Sequence, residues 1–133
     1  MKIIIYDTET TWLMNSKEKD LNKQPHLVQF AWIIWEVDEL GNWEKEKEIN
    51  IYIKPPIPMP YEASLVNHIY DIDLLDKFPI ENHIEEICNY INWVDLVIGH
   101  NVEFDNRILW LEVQRAKMKW LQVDFQPKNI FCT

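Results

Sequence analysis

Positive charge is scarce in this chain. Its 133 residues carry 13 Lys and Arg against 22 Asp and Glu, a net charge of −9. That balance excludes a general electrostatic binder of DNA, RNA or anionic membrane, whose affinity rests on clustered cations. It leaves room for action on nucleic acid through a small contact at which metal ions supply positive charge. Cysteine is scarce as well: Cys88 and Cys132 show no metal-ligand spacing and read as free thiols in a reducing compartment. No run is long or apolar enough to span a bilayer, and residues 1–6 lack the cationic start and long apolar stretch of a signal peptide. The expectation is a cytoplasmic protein with no membrane association. Internal repeats and low-complexity segments are missing too.

Apolar residues are plentiful: 47% of the chain is hydrophobic and 13% aromatic, with seven tryptophans. That suffices for a core and excludes disorder, and the length points to a single domain. The chain is organised around Ile3-Ile4-Ile5-Tyr6-Asp7-Thr8-Glu9-Thr10-Thr11. Three consecutive isoleucines predict a strand, over residues 2–6, buried on both faces. It runs into Asp7 and Glu9, whose i, i+2 spacing places both carboxylates on one strand face. Two anions side by side repel. A hard divalent cation such as Mg²⁺ or Mn²⁺ removes that penalty. The same residues also fit a strand ending in a polar, Thr-rich turn, and the motif alone leaves both readings open.

The polar residues 14–25 predict an exposed loop. A strand from Leu27 to Val37 follows, then turn chemistry at Asp38–Asn42 with Gly41 at positive φ, then an edge strand from Trp43 to Lys54. Charges at Glu44 to Glu48 keep that edge solvated. The three strands form an antiparallel meander. The prolines of residues 55–60 stop the sheet. They read as a stiff surface connection rather than a docking site for proline-recognising modules. A short helix is expected over 61–70, carrying His68. An amphipathic helix is expected from Ile80 through Ile91, and a short strand at Leu96-Val97-Ile98 that exits at Gly99. A helix from Val102 to Lys117 would be capped by Asn101. Asp105 falls in its first turn, where the helix dipole favours the ionised form. Residues 120–129 read as a polar connection, and Ile130-Phe131-Cys132-Thr133 as the start of another buried strand.

Taken together, Asp7-Thr8-Glu9-Thr10-Thr11, His26-Leu27-Val28-Gln29-Phe30-Ala31, Asn67-His68-Ile69 and His100-Asn101-Val102-Glu103-Phe104-Asp105 stand in an order that resembles the DEDD superfamily of 3′–5′ exonucleases. The branch in question is similar to the proofreading exonuclease subunit of bacterial replicative polymerase. The resemblance runs from residue 2 to the C-terminus. It implies an α/β, ribonuclease-H-like mixed sheet: an antiparallel three-stranded meander plus a parallel strand, with flanking helices. It implies two divalent metal ions, Mg²⁺ or Mn²⁺, that activate a water and stabilise the leaving oxygen at the 3′ end of single-stranded DNA or RNA. Asp7 would bridge both ions, Glu9 would bind one, and Asp105 would act on the second side of the site. Thr10, Thr11 and Trp12 lie where the family contacts the terminal nucleotide, with Trp12 at a position usually held by glycine. His68, Asn101 and Phe104 complete the substrate-binding set, although packing roles serve equally for His68 and Phe104.

The family's third motif, a histidine base followed by a fourth carboxylate, finds no match in this sequence. No His follows His100, and Asp124 sits in a connection without a partner histidine. The histidine and tyrosine branches are therefore not separated by that motif, and the His-Asn-x-x-Phe-Asp form leans toward the histidine branch. The expectation is one exonuclease-like domain over residues 1–133, truncated before the third motif and weak or inactive alone. The strand ending at Gly99 would then be an exposed edge, open to a second copy or a second polypeptide. Two functions stay in play: a metal-dependent exonuclease, or a non-catalytic module that binds a nucleic acid end or a protein partner. A ribonuclease-H-like protein of other function is disfavoured by the His100–Asp105 stretch.

Overall fold

The computed structural model describes residues 1–13 and 17–133. Five strands form one sheet: β1 (Lys2–Thr10), β2 (Leu27–Val37), β3 (Trp43–Tyr52), β4 (Leu96–Gly99) and β5 (Ile130–Cys132), in the order β3-β2-β1-β4-β5. The first three pair antiparallel, and β4 lies parallel to both β1 and β5. Helices α1 (Tyr61–Asn67), α2 (Asp71–Leu74), α3 (Ile84–Trp93) and α4 (Val102–Met118) complete the fold. No helix among the described residues is long and apolar enough to cross a membrane.

Alternation along β1 and β2 makes the core. Ile4 faces Ile34, Tyr6 faces Trp32 and Thr8 faces Phe30, and all six side chains are buried. Ile87 and Ile91 of α3 and Ile108, Leu109 and Leu111 of α4 pack on that face. The opposite face of β1 carries Ile5, Asp7 and Glu9 and opens to water: Ile5 is 38% exposed. The isoleucine run is thus covered on both faces only at its start. β1 also continues past Tyr6 to Thr10, so the two carboxylates lie within the ladder, opposite Ala31 and Gln29.

Four further expectations are corrected. The helix expected over 61–70 breaks at His68, which adopts left-handed backbone (φ 59°) and closes α1 by donating its N–H to Ser64 O at 2.8 Å. A second short helix, α2, then begins at Asp71. The loop expected to be exposed over 14–25 lies at 14–16 outside the described residues. Its later part is exposed as expected at Lys17, Lys19, Asp20, Asn22 and Lys23, but it holds a 3₁₀ turn (Leu21–Lys23), with Leu21 against the core and Pro25 buried. β4 is not an edge, because β5 pairs along it from Val97 to Gly99. The free edge belongs to β5, and that strand is exposed rather than buried, with Phe131 58% accessible. Its place beyond a short parallel strand leaves it few residues to pack against.

Gly99 earns its position by space rather than by backbone freedom. A Cβ there would lie 3.0 Å from Val102 Cβ and Cγ2 and 3.3 Å from Tyr6 O. β4, β1 and the first turn of α4 can therefore close together only around a missing side chain. Gly99→Ala is expected to destabilise the fold by roughly 1–3 kcal/mol, as overpacking does. Urea unfolding would register this as a lower midpoint with an unchanged slope.

Candidate active site

The ladder between β1 and β4 stops at Ile5 and Ile98. Beyond it the two parallel strands diverge, and α4 starts in the gap. Such a crevice outside the carboxyl ends of parallel strands is where open α/β sheets bind ligands. The Thr8 N–H, with no β4 partner, donates to Asp105 Oδ1 at 3.1 Å, and the Thr8 hydroxyl donates to the same oxygen. Asp105 is 3% exposed. Asp7 is exposed and Glu9 half-buried on the opposite face of β1 from Thr8.

The three carboxylates feel one another. Burial, then the charges of Asp7 and Asp105, push the Glu9 carboxyl above its ordinary range. Burial lifts Asp105 from 3.8 to about 6, with Asp7 adding to the rise and the Thr8 bonds opposing it. The expected dipole effect at the start of α4 is therefore outweighed by desolvation. Nor does Asn101 cap α4 with its side chain. It adopts left-handed backbone (φ 52°), a conformation Asn tolerates, and makes no capping bond.

Among the described residues, no group of three or more His, Cys, Asp or Glu side chains stands ready to hold a metal ion. Strand alternation explains this: Asp105 is engaged from the Thr8 side, whereas Asp7 and Glu9 project from the other face. The donor set nevertheless fits a hard divalent cation. All three groups offer carboxylate oxygens, and Mg²⁺ is commonly held by one or two carboxylates completed by water and substrate phosphate.

Beside Glu9 lies a hollow of about 370 Å³ lined by Thr8, Glu9, Thr10, Trp12, Leu13, Glu62, Ala63, Val66, Asn67 and Phe104, and by neither Asp7 nor Asp105. Thr10, Trp12 and Phe104 are thus brought together in one hollow. Trp12 is half exposed, and its carbonyl accepts a bond from the Thr10 hydroxyl at 2.7 Å. Thr11, His68 and Asn101 do not line the hollow. Thr11 is buried, its N–H donating to His26 O at 2.9 Å and its hydroxyl oxygen accepting from His26 N–H at 3.0 Å. It anchors the chain rather than facing a ligand. His68 and Asn101 are exposed outside it. Asn67 takes the place expected for His68, donating from Nδ2 to Thr10 O at 3.1 Å. Sequence reading missed Leu13 and the α1 residues Glu62, Ala63 and Val66, and it quoted Asn67 in a motif without giving it a place in the site. The i, i+4 spacings of Glu62 with Val66 and of Ala63 with Asn67 are the signal that could have shown them sharing a face. A larger hollow, about 710 Å³, runs along α3 and contains none of the candidate residues.

The sequence matches the RNase_T exonuclease family over residues 4–132. The chain belongs to this exonuclease family. It is 33% identical over 104 residues to the DNA polymerase III subunit epsilon of Buchnera aphidicola subsp. Schizaphis graminum, a match covering 78% of this chain and 42% of that protein. The matched part is thus less than half of that relative. Among solved structures, exonuclease X in complex with 5′ overhanging duplex DNA aligns at a TM-score of 0.59 and 18% identity, over 98% of this chain and 58% of that one. E. coli exonuclease I in complex with a 5cy-dA13 oligonucleotide aligns at 0.68 and 18% identity, over 98% and 28%. A zinc-bound form of an E. coli exonuclease I–single-stranded DNA complex aligns equally well, at 0.68 and 18% over 98% and 27%. These neighbours share the fold. The exonuclease domain is accordingly α/β, of the ribonuclease-H-like DEDD type.

Proposed function

We propose that this exonuclease domain is a metal-dependent enzyme that removes nucleotides from the 3′ end of single-stranded DNA or RNA. One observation carries the reading: a hollow large enough for a nucleotide, walled by Trp12, Leu13 and Phe104, opens directly beside Glu9 and Thr8. The apolar walls suit a base, since every base offers a π-face for stacking. Asp7, Glu9 and Asp105 would hold two Mg²⁺ or Mn²⁺ ions. Such ions, when bound, lower the pKa of a coordinated water and stabilise charge on the leaving oxygen. Thr8 fixes the Asp105 carboxylate through two bonds, and Asn67 and the Thr10 hydroxyl hold the turn that presents Trp12. The relatives named above support this reading, since all three of the similar structures hold DNA and the epsilon relative is a polymerase subunit.

A second reading, binding a nucleic acid end without turnover, draws on the lack of a preassembled metal cage among the described residues. One experiment separates the two. Labelled single-stranded and 3′-recessed oligonucleotides are incubated with Mg²⁺ or Mn²⁺, beside Asp7→Ala. Stepwise shortening of a 5′-labelled strand that disappears in Asp7→Ala supports the enzyme. Retention of the oligonucleotide without shortening supports the binding module. Release of the 5′ label as a mononucleotide would refute the proposed polarity. Without a general base joined to the site, turnover is expected to lie roughly 10²–10⁴-fold below that of a complete site.

A further inference from the structure

The net charge of −9 opposes any polyanion, so the placement of exposed cations on this chain is informative. There are two arginines in the sequence, Arg107 and Arg115. Arg115 is buried and bonded to carbonyls and to Glu112. Arg107 is exposed and makes no ion pair or hydrogen bond among the described residues. It lines a hollow of about 330 Å³ on the outer face of α4, together with Glu103, Asn106 and Trp110. Their spacing, i, i+3, i+4 and i+7, puts all four on one helical face. Trp110 is 48% exposed, an indole with an open face. Asn106 accepts the Tyr6 hydroxyl at Oδ1, and its amide N–H₂ makes no bond among the described residues.

Phe104 connects this hollow to the candidate active site. It lines the hollow beside Glu9, and Arg107 follows it by three positions, hence as its neighbour on the helix. From Phe104 to Trp110 the helix rises about 9 Å, enough for two to three stacked nucleotides at about 3.4 Å each. An unpaired guanidinium, unpaired amide donors and an open indole are what a single strand requires: a planar fork for a phosphate, donors for a further oxygen and a platform for a base.

We propose that the hollow formed by Glu103, Asn106, Arg107 and Trp110 is a second nucleotide subsite, which binds the phosphate and base of the nucleotide upstream of the one seated beside Glu9. Arg107 pairs with the backbone phosphate, Asn106 donates to it, and Trp110 stacks on the base. Glu103 disfavours a second phosphate at the N-terminal end of the hollow and accepts from a base amino group, as acidic side chains do from cytosine. The subsite rests on the nuclease reading of the neighbouring site, and it makes the substrate a single strand of at least two nucleotides.

The test is fluorescence anisotropy with 5′-fluorescein-labelled thymidine monophosphate and tetrathymidylate, with Ca²⁺ as the divalent ion. The wild-type chain should bind the tetranucleotide more tightly than the mononucleotide. Arg107→Gln and Trp110→Ala should each weaken the tetranucleotide about tenfold and leave the mononucleotide unchanged. Arg107→Gln should also reduce the slope of log K against log salt by about 0.7, the value of one phosphate contact on a single strand. Arg107→Lys, which keeps the charge and loses the fork, should fall between. Both side chains are exposed, so the variants should fold, and circular dichroism verifies it. If the wild type prefers the tetranucleotide and the variants bind it equally well, the subsite is refuted while the nuclease reading stands. If the wild type binds neither probe, both fall together.

Discussion

Asp105→Asn is expected to make the metal-free protein more stable while removing any stability gained from Mg²⁺ or Mn²⁺. The substitution keeps shape and leaves an amide oxygen to accept both Thr8 bonds. It removes a carboxylate whose burial raises its pKa from 3.8 to about 6. The raised value sets the sign. Folded protein holds the Asp105 proton more tightly than unfolded protein does, so protonation favours folding. This contribution is complete below about pH 3.8 and is lost as pH rises through about 6. At pH 8 the ionised, desolvated carboxylate works against the fold by on the order of 2 kcal/mol, after allowing for water at the mouth of the site. Urea unfolding in EDTA should therefore show Asp105→Asn above wild type at pH 8 and level with it at pH 4. With Mn²⁺ the order should reverse at pH 8, because an ion that binds only the folded state stabilises it by mass action, about 2.7 kcal/mol at a hundredfold excess over Kd. A carboxylate that merely supports packing would give the opposite result in EDTA: its replacement would destabilise at both pH values. Equal stabilisation of wild type and variant by Mn²⁺ would remove Asp105 from the metal site.

The hydrophobic run of β1 and the i, i+2 carboxylates were legible because strand periodicity is a local property. So was the meander: the range Leu27–Val37 read from β-branched and aromatic enrichment is the observed β2, and Gly41 has the expected positive φ of 81°. Amphipathic α3 was nearly as plain, with Ile84, Ile87, Cys88 and Ile91 turned inward, although Ile80–Asn82, expected as its start, forms a separate 3₁₀ turn. Positions at which the chain leaves its regular conformation were not. His68, Asn101 and Trp120 take positive φ without being glycine, and no local pattern marks them. Nor could periodicity show that Asp105 would bond to Thr8, 97 positions away, since that contact depends on where the β1–β4 ladder ends. The same limit applies to β5. Three apolar residues read as buried, but their partner strand and their exposure are set by the packing of the whole sheet.

One long-range tie in the fold is also the one with the largest expected cost on removal. Arg115, near the end of α4, spends all five of its N–H groups. Nε donates to Leu21 O at 3.2 Å, Nη1 to Pro25 O at 2.9 Å and to the Glu112 carboxylate, and Nη2 to Gln24 O at 2.9 Å and to Leu21 O. Glu112 is buried, and so is His26, whose Nδ1 lies 4.0 Å from Oε1 of Glu112. Burial, with the Arg115 charge beside it, holds the His26 imidazole down at about 4, so it is neutral. One guanidinium thus ties residues 21–25 to α4, and the next residue, His26, pins Thr11 of the turn that presents Trp12. Arg115→Met is expected to destabilise by about 3–5 kcal/mol, because it strands a buried carboxylate and several carbonyls at once. Arg115→Lys should recover less than half of that, since an ammonium offers three donors and cannot span the fork. Adding Glu112→Gln to Arg115→Met should return part of the loss by removing the uncompensated charge. Urea unfolding supplies the energies, and amide hydrogen exchange locates the effect. In Arg115→Lys, exchange at Thr11 and His26 should speed up before exchange in the core strands does. If those two amides stay protected while global stability falls, the guanidinium serves the core alone and the turn beside the candidate site is held by other contacts.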